Sequence, residues 1–256
     1  MSTALLILAA ASWGAAAGLL LPRPAHRFSV PSGEEWRTVC PAGHPVRGWL
    51  GPVPCWRCTT GGPPSPSGTV APPSASGTVA LPCVTGLVCA ALAAATGARP
   101  ELAVWLLLAP VGVLLAVVDL RVRRLPDPLT LPLAAAALGL LGVAALLPGH
   151  SGDWTTAVLG CLALGVGYFV LFLVNPDGMA FGDVKLALGT GAVLGWYGWS
   201  TLLLGTLAGF LLGALYGGFL VVVRGAGRRT AIAFGPFLLA GALAGVLAGA
   251  GVGSSF

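Results

Sequence analysis

The chain has 256 residues, of which 56% are hydrophobic and only 8% charged, and its mean hydropathy is +0.91. That is too apolar for the surface of a water-soluble domain, so a soluble enzyme is excluded. The net charge of +5, from 13 Lys and Arg against 8 Asp and Glu, is dispersed in small clusters between apolar runs; no basic face forms, which excludes a nucleic-acid partner.

About 20 apolar residues cross a bilayer. The first run, residues 1–22, has no Lys or Arg ahead of it and is followed by Arg23 and Arg27. This is the reverse of a secretory signal peptide and predicts a retained first span with its N-terminus outside. Residues 23–80 are the one segment without membrane character. They carry Cys40, His44, Cys55 and Cys58. Cys55-x2-Cys58 is a good zinc half-site, and Cys40-x3-His44 supplies two further ligands of a tetrahedral ion; free thiols are the competing reading. Residues 59–80 hold no charge and repeat Ser-Gly-Thr-Val-Ala, so they read as a flexible linker.

Residues 81–256 read as a membrane-embedded unit with uncharged runs at about 81–98, 102–118, 129–149, 154–174, 186–199, 201–223 and 231–251. The predicted fold class is therefore an all-α polytopic membrane protein of about eight transmembrane helices with a small cytoplasmic Cys/His loop. Threading eight spans from an outside N-terminus puts twelve of the thirteen Lys and Arg in the cytoplasmic loops, with Arg99 alone outside. Dropping one internal span would scatter those charges over both faces.

Acidic residues are few enough to weigh singly. Glu101 and Asp153 fall in outside connections and are expected to be solvated. Asp119 ends the run VWLLLAPVGVLLAVVD, and Asp183 lies in NPDGMAFGDVKLALGTG just before another run. Both sit at cytoplasmic span ends, where ionisable groups are costly and usually functional. A bland reading pairs them with Arg121, Arg123 or Lys185 at the membrane surface. Their surroundings favour chemistry. Gly178 and Gly182 near Asp183 permit unusual backbone angles and close approach of another chain. Pro126 and Pro128, after Asp119, stop the helix and build a fixed turn. Two carboxylates so placed form an acid/base pair or, in a non-enzymatic transporter or pilus or secretion assembly component, a proton or ion site.

Taken together, Asp119 in VVDLRVRRLPDPLTLP, Asp183 in GMAFGDVKLA and the closing AIAFGPFLLAGAL at 231–243 resemble the three landmarks of the type IV prepilin peptidases. These are membrane aspartyl proteases with a Gly-x-Gly-Asp motif. The two Asp are 64 residues apart, similar to the family's spacing, and the likeness covers about residues 100–245. One departure is Ala180 at the first Gly of the motif. The resemblance implies an aspartic endopeptidase of the plasma (inner) membrane that removes a short basic leader from prepilin or pseudopilin precursors at the cytoplasmic face. It makes Asp119 and Asp183 the catalytic pair, with no cofactor needed for cleavage. Two nearby carboxyls share a proton, the ionised one activating water and the protonated one binding the scissile carbonyl.

Within the resemblance, Asp127 is expected to support the site or cap a helix, and Lys185 to tune the site, meet substrate or anchor the topology. The family often has two Cys-x2-Cys pairs in its loop, and residues 40–58 look like a shortened version with His44 in place of one Cys. That loop accompanies N-methylation from S-adenosylmethionine in bifunctional members. Their Gly-Ser-Phe-x-Asn stretch is here Gly18-Leu19-Leu20-Leu21-Pro22, so methylation is left open. An intramembrane aspartyl protease for other substrates would share the Gly-x-Gly-Asp logic without a cysteine loop. Expected partners are the precursor and membrane lipid.

Overall fold

The computed structural model describes residues 2–31, 33–40, 43–52, 75–176, 178–224 and 233–252. In chain order its helices are α1 (Thr3–Leu20), α2 (Pro22–Phe28), α3 (Ala75–Thr96), α4 (Glu101–Val122), α5 (Asp127–Ala145), α6 (Trp154–Val174), α7 (Phe181–Gly195), α8 (Trp199–Arg224) and α9 (Gly235–Val252). Apart from the seven-residue α2, each corresponds to one predicted apolar run, so the protein is an all-helical polytopic membrane protein. Helices α1, α4, α5, α6 and α8 are long and apolar enough to cross a bilayer. In α3 and α9 the apolar stretches are shorter, Ala80–Thr96 and Gly235–Gly251. At 15 residues α7 rises only about 22 Å, less than the ~30 Å hydrocarbon core. It compensates by being encased: Asp183, Leu186, Ala187, Thr190 and Leu194 are among its buried residues.

Between apolar helices in lipid, association depends on close van der Waals packing, and glycine allows it. A Cβ at Gly14 of α1 would meet the Thr85 carbonyl of α3 at 2.6 Å, and one at Gly18 would meet Pro82 Cα at 2.6 Å. Likewise a Cβ at Gly160 of α6 would meet the Gly191 carbonyl of α7 at 2.6 Å, and one at Gly241 of α9 would meet Gly209 Cα of α8 at 2.7 Å. These three seams join α1 to α3, α6 to α7 and α8 to α9.

Two apolar layers stack along the bundle. One contains Leu115, Leu125, Leu164, Tyr168, Val184 and Leu238; the other contains Leu92, Trp105, Leu141, Trp196 and Val246. Beyond the second layer Glu101 is fully buried, its Oε1 accepting from the backbone N–H and the hydroxyl of Ser151. This corrects the expectation of a solvated loop carboxylate. Asp153 does behave as a surface residue, capping α6 through a 2.9 Å bond from the Thr156 N–H; that bond holds its carboxyl below the usual carboxylate range.

After α2 the chain doubles back. The Arg37 N–H donates to the Arg27 carbonyl, the Val46 N–H to Thr38 and the Gly51 N–H to Leu20, returning the loop to the end of α1. Of the stretch read as a flexible linker, 75–80 is helical and begins α3, while 59–74 lies outside the described residues.

Candidate functional site

Asp119 lies inside the last turn of α4 rather than beyond it. The helix ends when Arg123 takes left-handed backbone angles, φ 52 and ψ 42, and returns its N–H to the Asp119 carbonyl at 2.7 Å, the common way to satisfy a terminal carbonyl. The expected stop at Pro126 and Pro128 is thus corrected. These prolines start the next helix: Pro126 is the extended N-cap of α5 and Pro128 lies in its first turn, where the missing N–H costs nothing.

Asp183 is likewise inside a helix, in the first turn of α7, its N–H bonded to the Ala180 carbonyl at 3.0 Å. Ala180 is the N-cap at φ −76 and ψ 143 and is exposed, so the methyl that replaces the motif's first glycine sits unstrained. Neither Gly178 nor Gly182 uses a left-handed conformation, which corrects that part of the expectation. The close approach is met at Gly182, where a Cβ would stand 3.0 Å from Leu125 Cβ. At Gly178, in the turn before α7, the N–H donates to the Asn175 carbonyl at 3.1 Å and a Cβ would run into the Asn175 side chain, 2.9 Å from its Cγ. Asp177 lies outside the described residues.

Both carboxyls are 4% exposed, and they are near enough for the charge of Asp119 to act on Asp183. Among the described residues neither forms an ion pair. Lys185 is engaged elsewhere, 2.7 Å from Asp127 Oδ2 and over the Phe181 ring at 4.9 Å. Asp127 makes no helix cap, since Pro126 holds that position without a side-chain bond; it stands at the exposed end of the Lys185 pair. Among the described residues the bland pairing of the two buried Asp with Arg121, Arg123 or Lys185 does not form.

A third element completes the arrangement. Gly235 opens α9 and donates its backbone N–H to Asp119 Oδ2 at 3.0 Å. A Cβ there would collide with that oxygen at 2.8 Å and approach Leu125 Cδ1 at 3.4 Å. Leu125 therefore touches the backbones that carry both Asp183 and Gly235, tying the α4–α5 connection to the starts of α7 and α9. An apolar cavity of about 300 Å³ lies within the bundle between α3, α4, α5, α7 and α9, and neither carboxyl lines it. Its lining includes Ala116, one turn before Asp119, and Pro236, next to Gly235. Sequence reasoning marked 231–243 as a landmark but gave Gly235 no task; a glycine before proline at a helix start was the available signal. Tyr168 was missed altogether. It packs in the same layer as Leu125 and Val184, and Asp183 acts on its hydroxyl electrostatically.

In the loop, Cys40 and His44 come together across a single antiparallel bridge between Val39 and Pro45, with Sγ and Nδ1 3.7 Å apart. Cys55 and Cys58 lie outside the described residues, and among those described no group of three metal-ligating side chains forms.

A family model described as the type IV leader peptidase family matches residues 103–249. The prepilin leader peptidase/N-methyltransferase of Aeromonas salmonicida is 39% identical over 143 residues, covering 52% of this chain and 45% of that protein. Proteins of the same description from Escherichia coli K12 and Pseudomonas aeruginosa are 37% and 35% identical, covering 50% and 48% of this chain and 56% and 42% of theirs. The chain thus spans about half the length of the curated relatives it matches. No solved structure matches it.

Proposed function

The chain belongs to the type IV leader peptidase family, and from that premise we propose that it is a membrane aspartyl endopeptidase with Asp119 and Asp183 as its catalytic pair. Its substrates are prepilin-like or pseudopilin-like precursors, cut at the cytoplasmic face of the plasma membrane. The observation that carries this reading is the meeting of two buried carboxyls, without cation partners among the described residues, at one end of a helical bundle. Acids held this way resist double ionisation and share one proton.

The chemistry then balances within the pair. A water oxygen adds to the scissile carbonyl carbon while one water proton passes to the ionised carboxylate, and the carbonyl oxygen takes the proton of the other carboxyl. Collapse of the tetrahedral diol breaks the C–N bond. The leaving nitrogen takes the proton held by the first carboxyl, and the diol returns its proton to the second. The Gly235 N–H fixes Asp119 throughout. Apolar walls at Ala116 and Pro236 suit the hydrophobic segment that follows the cut.

Cleavage of a co-expressed precursor with Gly at the cut site, scored by mass shift, tests the assignment. Asp119→Asn and Asp183→Asn should each nearly abolish processing while the protein stays folded, because Asn neither accepts the water proton nor shares one. Wild-type processing by either variant returns the pair to the transporter reading, in which it binds a proton or an ion.

The loop is assigned about one zinc, held by Cys40, His44, Cys55 and Cys58. Tetrahedral zinc with ordinary Zn–S and Zn–N lengths separates two such ligand atoms by about 3.6 Å, close to the 3.7 Å between Cys40 Sγ and His44 Nδ1. Metal analysis decides it: unchanged zinc content in the quadruple Ala variant refutes the site. The N-methyltransferase in the relatives' names is assigned to no residue here. For topology, the charge bias places 23–80, 119–128, 175–185 and 224–230 in the cytoplasm; in intact cells a single Cys at 152, but not one at 226, should be labelled from outside.

A further inference from the structure

Helix α6 delivers a third polar group to the pair. Tyr168 is 2% exposed, and its ring stacks on Phe210 at 5.6 Å and packs at a tilt against Phe234 at 6.2 Å. The two phenylalanine rings lie 5.4 Å from each other, so the three rings form one cluster. Phe234 directly precedes Gly235, the residue that holds Asp119, so the tyrosine is fixed relative to one member of the pair through its neighbour in sequence. Its hydroxyl lies within electrostatic reach of the other member, Asp183.

That hydroxyl is buried and has no hydrogen-bond partner among the described residues. An unpaired buried hydroxyl is unfavourable, and phenylalanine would keep all the ring packing without it. Phe210 and Phe234 pack on the ring, a contact that phenylalanine would make equally well, so ring packing gives no task to the hydroxyl. Leu125, Leu164 and Val184 are buried in the same apolar cluster as Tyr168, and in such a low-dielectric setting a fixed donor is strongest towards an oxygen that gains negative charge.

Resting on the peptidase reading above, we propose that Tyr168 is a further catalytic residue, its hydroxyl donating a hydrogen bond to the scissile carbonyl oxygen as the tetrahedral intermediate forms. The tyrosine transfers no proton; the protons move between water, the two carboxyls and the leaving nitrogen as described. The bond is made mainly in the transition state, so it acts on kcat and little on KM.

The test compares purified wild type, Tyr168→Phe and Asp119→Asn on a synthetic precursor with Gly at the cut site, alongside thermal unfolding in detergent. For Tyr168→Phe, kcat should fall about 10²-fold with KM within about twofold. The unfolding midpoint should hold or rise, because an unpaired hydroxyl is gone. A wild-type kcat for Tyr168→Phe beside an inactive Asp119→Asn overturns this inference and leaves the peptidase reading standing. A fall in kcat matched by a drop in the unfolding midpoint would mark a purely structural tyrosine and also overturn it. Wild-type cleavage by Asp119→Asn removes the peptidase reading and the inference with it.

Discussion

Substituting Gly235 by alanine separates the stability of the bundle from the placement of its carboxyl. The added methyl would stand 2.8 Å from Asp119 Oδ2 and 3.3 Å from its Cγ, where ordinary contact begins near 3.4 Å. The oxygen must therefore retreat by about 0.6 Å. Retreat lengthens a bond that is now 3.0 Å past the usual range for N–H to oxygen. Hydrogen bonds to charged groups are worth about 1.5–3 kcal/mol, and a misplacement of about 1 Å in a catalytic group costs on the order of 10²-fold. We expect kcat to fall roughly 10- to 100-fold on those two grounds. Stability should behave differently. Gly235 has no left-handed φ, and alanine at a compatible glycine position gains about 0.4–1 kcal/mol from the unfolded chain, which offsets the steric push on a terminal oxygen. The assay is precursor cleavage by purified Gly235→Ala together with its thermal unfolding. A wild-type kcat would refute the argument that this N–H positions Asp119, and so would a change confined to KM.

Other substitutions follow from the same structure. Asp127→Asn breaks the 2.7 Å pair with Lys185, but Asp127 is 62% exposed, so a loss of at most ~1 kcal/mol is expected, with most cleavage activity retained in the precursor assay. Glu101→Ala removes the acceptor of the Ser151 N–H and hydroxyl; Ser151 is exposed, so water takes over part of that role and a loss of about 1–2 kcal/mol is expected, read as a lower unfolding midpoint, whereas Glu101→Gln keeps an acceptor and should lose less. Gly191→Leu drives a side chain into the Gly160 carbonyl and Cys161 Cα of α6. It should sharply reduce recovery of folded protein, while Gly139→Ala, with open space around it, should be neutral or stabilising by up to ~1 kcal/mol.

The helical fold was readable because eight apolar runs, five of them long enough to cross a bilayer, stand apart from the polar connections between them. Helix ends were less readable. Propensity alone did not show that α4 closes on a left-handed Arg123, three residues before the first proline, or that α7 starts at Phe181 and takes Asp183 inside. Those ends are set by tertiary contact, with Gly182 and Gly235 both pressed against Leu125. The packing seams did have a signal in the small residues repeating every four positions, Gly191 and Gly195 in α7 and Gly241, Gly245 and Gly249 in α9, the pattern that lets helices in lipid approach. Glu101 misled because its place in a connection suggested solvent, and only the folded chain brings Ser151 over it, 50 residues away in sequence. Tyr168 was hidden in an apolar run whose residues all looked like lipid-facing or packing groups.

The two carboxyls occupy opposite helix poles, which explains why a third helix is needed. Asp183 sits in the first turn of α7, where unpaired N–H groups and the macrodipole favour negative charge. Asp119 sits in the last turn of α4, where the same dipole opposes it. If α4 alone surrounded Asp119, the pair would have one member at a favourable pole and one at an unfavourable pole, and no second donor to correct the difference. The start of α9 supplies that correction, because its leading N–H on Gly235 reaches Asp119 Oδ2 and brings the positive pole of another helix to the same carboxyl. Only a residue without a side chain can bring its backbone so near, and the following Pro236, in the first turn, starts the helix without needing an N–H partner. The Phe-Gly-Pro of the closing landmark thus has a physical task at each position: Phe234 packs against Tyr168, Gly235 holds Asp119, and Pro236 begins the helix whose field offsets that of α4.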